Sequence, residues 1–275
     1  MRLLFIGDIV GRPGRDLVRK HVRALAATHA ADLVIANGEN AAGGAGITRD
    51  NTNEILGAGV DVITTGNHVW DKRETLAFIG AEPRLIRPAN YPEGTPGLGS
   101  YVALARNGVR VGVINVMGRV FLHAIDDPFR AAVREIARVK EAGAQVIFVD
   151  MHAETTSEKV ALAWYLDGQV AAVIGTHTHV QTADERVLPG GTACLTDAGM
   201  TGPHDGVIGM DKVAVIARFV SGLPGRFEPA AGDSRLHGVI VTVDPATGKS
   251  SAIERVALTE VQLAAITDQA AAVRA

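Results

Sequence analysis

A chain of 275 residues with 47% hydrophobic and 21% charged residues can bury a large core, which excludes a disordered polyelectrolyte. Its 27 basic and 30 acidic residues give a net charge of −3, with no electrostatic footprint for wrapping nucleic acid or coating an anionic membrane. The single cysteine, Cys194, allows no intrachain disulfide, no run approaches the ~18 apolar residues of a membrane span, and Leu3-Leu4-Phe5-Ile6 is too short for a secretory leader, so a cytoplasmic protein is expected.

From the start of the chain, Met1 to Ile6 reads as a buried strand closed by Gly7-Asp8. A helix is expected from about Pro13, with Leu17, Val18, His21, Val22 and Leu25 on one face, so His21 reads as a core histidine. The cycle returns as Leu33-Val34-Ile35-Ala36 runs into Asn37-Gly38-Glu39-Asn40, and again as Val60-Asp61-Val62-Ile63 runs into Gly66-Asn67-His68. Asp71, three before Glu74, reads as the N-cap of a capping box. Val109 to Val116 is a further strand, and Asp127-Pro128 an N-cap with proline at the first helical position. Val146-Ile147-Phe148-Val149 leads into Asp150-Met151-His152, and Thr155 with Glu158 reads as a second capping box. Val170 to Ile174 then leads into Gly175-Thr176-His177-Thr178-His179. Leu236 to Val243, a turn at Asp244-Pro245-Ala246-Thr247-Gly248, and Ala252 to Leu258 read as a hairpin. Strands alternating with helices predict one layered α/β domain over residues 1–275, without a linker or an internal repeat.

The polar residues share one place in this pattern. Asp8, Glu39, Asn40, Asn67, His68, His152, His177 and His179 each follow the carboxyl end of an apolar strand, the edge where ligand sites of open α/β sheets assemble. Their oxygen and nitrogen donors suit manganese, iron or zinc. One ion has at most six places for three imidazoles, two carboxylates and two amides, so two ions are expected. His177 and His179 are two apart, and an extended segment would project both to one face. Two divalent ions carry +4; Asp8, Glu39 and a bridging hydroxide remove three charges and leave about +1, which favours a phosphate anion.

These motifs, in this order, resemble those of the calcineurin-like metallophosphoesterases, and more closely the YmdB-type branch, a group similar to bacterial 2′,3′-cyclic nucleotide phosphodiesterases. The resemblance covers nearly the whole chain, including Gly118-Arg119-Val120-Phe121 and Thr196-Asp197-Ala198-Gly199-Met200-Thr201-Gly202. It implies two mixed sheets packed face to face with helices outside. It also implies a first metal held by Asp8, Glu39, Asn40 and His179, and a second held by Glu39, Asn67, His152 and His177. A metal-bridging hydroxide would attack phosphorus, and His68 would protonate the departing oxygen. The chain departs from the wider superfamily at Val10, where an Asp-x-His motif has histidine, and at Glu39, where an aspartate is usual. Asn40 replaces the missing histidine, which requires the backbone to leave strand geometry near Gly38, Gly43 and Gly44.

The expected function is therefore a phosphodiesterase acting on small phosphodiesters. Phosphomonoesterase activity at the same site and a metal-binding regulatory protein with little turnover are the alternatives. No stable nucleic-acid complex is expected, and the oligomeric state is open. Gly7, Gly11 and Gly14 do not space as G-x-G-x-x-G, and no G-K-[ST] follows, so nucleotide-loop readings are rejected. Cys194 reads as an inert buried thiol. Asp197 reads equally as a turn residue or as a group orienting a ligand histidine. His29 and His237 read as structural or solvated, and His123 and His204 as loop residues. Arg12 and Arg119 are the only arginines close to the motifs in sequence.

Overall fold

The computed structural model, described over residues 1–272, begins with β1 (Arg2–Ile6), β2 (Asp8–Ile9), α1 (Gly11–Thr28), β3 (Leu33–Asn37), α2 (Arg49–Gly57) and β4 (Val62–Thr64). A short helix, α3 (Thr75–Phe78), precedes β5 (Ser100–Leu104), β6 (Arg110–Met117), α4 (Pro128–Glu141), β7 (Val146–His152), α5 (Thr156–Tyr165) and β8 (Ala172–Thr176). The remainder is β9 (Arg186–Val187), β10 (Ala193–Leu195), β11 (Met200–Pro203), α6 (Lys212–Ser221), β12 (Ser234–Asp244), β13 (Lys249–Thr259) and α7 (Glu260–Ala272).

The strands form two mixed sheets, as the resemblance implies. One runs β2-β11-β12-β1-β3-β4, with β13 added against β12; the other runs β5-β6-β7-β8-β10-β9. Alternation along each strand explains the layers. In β1, Leu3 and Phe5 join Phe148, Val146, Val111 and Ile174 of the opposite sheet in the central core, with the Phe5 and Phe148 rings 5.0 Å apart. Leu4 and Ile6 face the other way, onto Leu17, Val18, Val22 and Leu25 of α1. Ile147, Val149 and Met151 of β7 do the same toward α4 and α5. Strands buried on both faces need the continuous apolar runs seen in the sequence.

Local expectations hold with four corrections. Helix α1 begins at Gly11, two residues before Pro13, and its N-cap is Val10 without a side-chain bond. Asp127 caps α4 as expected, accepting from Phe129 N and Arg130 N. The second capping box does not form: Thr155 bonds to Glu158 at 2.9 Å, but Glu158 spends its other contacts on the backbone N–H groups of Arg119 and Val120. The first fails too, because α3 is capped by Glu74 without a side-chain bond and Asp71 is engaged elsewhere. The C-terminal hairpin runs longer than expected, pairing β12 with β13 over Arg235–Asp244 and Lys249–Thr259. Among the described residues, no helix is long and apolar enough to cross a membrane.

Candidate metal centre

The parallel strands of both sheets end at one edge. β1, β3 and β4 deliver Asp8, Glu39, Asn40 and Asn67 just past their carboxyl ends; β7 and β8 deliver His152, His177 and His179. Gly66 lets the β4 turn approach: a Cβ there would lie 2.2 Å from His152 Nε2 and 2.4 Å from Glu39 Oε2. Gly43 and Gly44 take positive φ of 71° and 94°, and with them the chain leaves strand geometry after β3.

His152 is the centre of one half of the site. Its Nδ1–H donates to Thr176 Oγ1 at 2.8 Å, and that hydroxyl donates to Asp150 Oδ1 at 2.7 Å. Asn37 links the network onward, donating to Asp150 Oδ2 at 3.0 Å and accepting from Glu39 N at 3.1 Å. The imidazole is thereby turned so that Nε2 faces Asn67 Oδ1 at 2.9 Å, Glu39 Oε1 at 3.1 Å and His177 Nδ1 at 3.1 Å. His177 Nε2 lies 3.0 Å from a Glu154 carboxylate oxygen, which leaves its Nδ1 turned toward His152 Nε2. Four lone-pair donors meet at one point. A proton there satisfies one contact, and a metal ion satisfies all of them.

The other half is built on the same logic. Asn40 Nδ2 donates to the Gly44 carbonyl at 3.1 Å, which points Oδ1 at His179 Nε2, 3.2 Å away. His179 donates its Nδ1–H to the Ile208 carbonyl at 2.9 Å. Asp8 is fully buried; Oδ2 accepts from His177 N at 3.2 Å, while Oδ1 has no hydrogen-bond partner. Glu39 Oε1 is likewise buried without one, its 3.1 Å approach to His152 Nε2 being an ion-pair contact and not a hydrogen bond. Two bare carboxylate oxygens in an enclosed site are costly unless a cation meets them.

Charge follows the same geometry. Burial raises the Asp8 carboxyl well above its ordinary range, against the pull of His152. Burial acts upward on Glu39 too, but His152 and His68 outweigh it and hold it at about 2. Burial alone would lower His152; Glu39, Asp8 and Asp150 instead lift it to about 9. Desolvation and the charge of His152 push His177 down to about 3. A positive charge is wanted beside Glu39, and the donor set fits divalent metal.

His68 stands at the rim. Its backbone N–H donates to Glu39 Oε2 at 3.1 Å, and its Nδ1 bonds Asp71 at 2.8 Å. Asp71 is therefore a partner of His68 and not a helix cap. His68, Glu39, Asn40, His177 and His179 all line a cavity of about 450 Å³ that no described lysine or arginine enters. Arg12 is 85% exposed and turns to Asp16, and Arg119 turns to Asp127.

A family model for YmdB-like proteins matches residues 4–256. The chain belongs to that family. It is 51% identical over 260 residues to a 2′,3′-cyclic-nucleotide 2′-phosphodiesterase of Bacillus subtilis (strain 168), covering 94% of this chain and 98% of that protein. A structure of a hypothetical protein from Thermus thermophilus superposes with a TM-score of 0.87 at 44% identity, over 94% of this chain and all of that one (100%). A novel phosphatase from Mycoplasma pneumoniae does so with a TM-score of 0.87 at 34% identity, over 94% and 93%. The YmdB-like chain thus has the metallophosphoesterase fold and is a hydrolase.

The sequence placed all eight candidate residues at one edge, and the structure brings them together there. The expectation that His177 and His179 sit in an extended segment is corrected: β8 stops at Thr176, and the two histidines take φ of 101° and 65°. The segment between them is tied down by Asp197, whose Oδ2 accepts from Thr178 N, Thr178 Oγ1 and buried Lys159 Nζ. Asp197 is also a turn residue, its Oδ1 accepting from Gly199 N. Val10, in place of a histidine, is buried and bonds through its backbone to Thr201. His21 is a core histidine bonded to Thr267 of α7, Cys194 is buried with its thiol pushed up by burial, and His123 is exposed. Sequence reasoning missed Asn37, Asp150, Thr176, Glu154 and Lys159. Only Asp150 left a signal, an acid two residues before His152 on the same face of an apolar strand.

Proposed function

We propose that this chain hydrolyses small phosphodiesters, of which 2′,3′-cyclic nucleotides are the type, using two transition-metal ions, iron or manganese, at the strand-end edge of a single domain in the cytoplasm. Asn67, His152 and His177 would hold one ion, Asp8, Asn40 and His179 the other, and Glu39 both. The observation that carries the reading is the convergence of lone pairs on His152 Nε2, beside carboxylate oxygens that have no partner. When bound, such ions supply positive charge against phosphate and lower the pKa of water enough to make a nucleophile near neutral pH. His68 lines the cavity with Asp71 accepting from Nδ1–H. When the ring carries both protons, Nε2–H is therefore the one it would give to the departing oxygen, with Asp71 stabilising the doubly protonated ring.

The absence of lysine and arginine from the described cavity wall supports a diester. A diester monoanion needs no more charge than a centre of about +1, whereas a monoester dianion gains from added cationic donors. The B. subtilis relative's name points the same way. Side-by-side kcat/KM values on bis-p-nitrophenyl phosphate, 2′,3′-cyclic AMP and p-nitrophenyl phosphate test it. Diesters are expected to lead. A monoester lead of tenfold, about 1.4 kcal/mol of transition-state preference, would overturn the assignment.

A further inference from the structure

The cavity beside the metal centre has two unlike walls. One is the ligand edge. The other is formed by Gly43, Gly44, Ala45, Ile208, Met210 and Phe227 and carries no polar side chain. Part of its backbone is already engaged: Gly43 N bonds Ala41 O, Gly44 N bonds Asn40 O while its carbonyl accepts from the Asn40 side chain, and Met210 N bonds Val207 O. Ile208 shows that the wall is built. Its backbone is left-handed, with φ of 45°, so its carbonyl meets His179 Nδ1 while its side chain stays 51% exposed. A β-branched residue is strained at such φ, and water is a poor neighbour for it. Phe227 stands half-buried in the same wall, with the Arg218 guanidinium of α6 5.2 Å over its ring.

On the phosphodiesterase reading, on which this inference rests, we propose that this wall is the platform for the substrate's nucleobase, with Phe227 as the stacking surface and Ile208 and Met210 beside it. The wall is continuous with His179 and Asn40, so a group attached to a phosphate at the metals extends onto it. An aromatic base is the occupant that gains from a flat ring flanked by aliphatic and thioether groups. With no side-chain donor or acceptor on the wall, the base is held by its face and its edge is not read. The enzyme is then selective for the presence of a base and indifferent to which purine it is.

The experiment compares 2′,3′-cyclic AMP with glycerol 1,2-cyclic phosphate, which has the strained ring and no base. In the wild type the ratio of kcat/KM should favour the nucleotide. Phe227→Ala should lower that ratio about tenfold, through KM, and Phe227→Trp should keep it. Because the ratio is taken on one preparation, loss of folded protein cancels. 2′,3′-Cyclic GMP should match 2′,3′-cyclic AMP to within about twofold, since one or more edge hydrogen bonds would be needed to separate them further. A ratio unchanged by Phe227→Ala, or a tenfold adenine–guanine preference, overturns the platform and leaves the diesterase reading intact. Wild-type protein inactive on both cyclic phosphates overturns both.

Discussion

Two of the places where described residues bury side-chain atoms without a hydrogen-bond partner differ in kind. At the strand-end edge, Asp8 Oδ1 and Glu39 Oε1 are bare among imidazoles, two of which have their other nitrogen fixed by a hydrogen bond. On β12 and the loop after β11, His237 Nδ1 and His204 Nε2 are bare in a pair of rings 4.6 Å apart. The second pair has no carboxylate between its rings; the nearby Asp233 is spent on Arg235. Burial, then the charge of its neighbour, simply pushes His237 down to about 4. Carboxylates interleaved with oriented lone pairs ask for a cation. Two histidines in contact ask only to stay neutral.

The largest effect expected at the edge comes from Glu39, whose carboxylate both ions would share on the proposed reading. Wild-type protein saturated with metal should carry close to two ions per chain by elemental analysis; Glu39→Ala should lose both and fall to the detection limit in turnover. No more than one ion in the wild type under excess metal would break the two-centre reading. His68→Ala should keep its metal yet lose ~10²–10⁴ in kcat on a substrate with a poor leaving group, and much less when p-nitrophenolate departs. Equal losses on both substrates would remove the proton-donor role. Asp150→Asn should weaken metal affinity by ~10–100-fold in competition with a chelator. An amide has one acceptor oxygen and cannot receive Thr176 on one side and Asn37 and Thr64 on the other, so the network that orients His152 is broken.

The smallest effect belongs to the histidine pair. Folded His237 titrates near 4 and an unfolded histidine at 6.5, so the unfolded chain alone takes up the proton between those values. Stability from this group is therefore full above pH 6.5 and declines as pH falls toward 4. Thermal melts of metal-loaded protein at pH 7.5 and pH 5 should show His237→Asn losing less Tm than the wild type. Elemental analysis should also find no metal attributable to the pair. An ion lost on His237→Asn would erase the distinction drawn between the two regions.

Much of the edge was legible because parallel strands put their chemistry at one end, and apolar runs announce such strands. Gly7-Asp8, Gly38-Glu39-Asn40 and Gly66-Asn67-His68 could be aligned at that end without coordinates. The two-sheet detail came through the resemblance, because β9, β10 and β11 are only two, three and four residues long and periodicity says little over such spans. The supports were not legible for a different reason. Lys159 lies on α5, and its partner Asp197 is 38 residues on. Asp71 satisfied a local capping pattern and was misread, since the competing partner, His68, becomes available only once the turn after β4 has folded.

The edge is also a seam. Asp8, Glu39, Asn40 and Asn67 belong to one sheet, His152, His177 and His179 to the other, and the bond from His177 N to Asp8 joins positions 169 residues apart. Neither sheet by itself holds a competent set of donors. On the proposed reading, metal uptake is then the last act of maturation and binds only the closed sandwich, which it stabilises by about 2.7 kcal/mol at a free-ion level of a hundred times Kd. Metal scarcity would leave a chain that is folded and idle, so supply of the ion, more than synthesis of the protein, would govern how much activity a cell possesses.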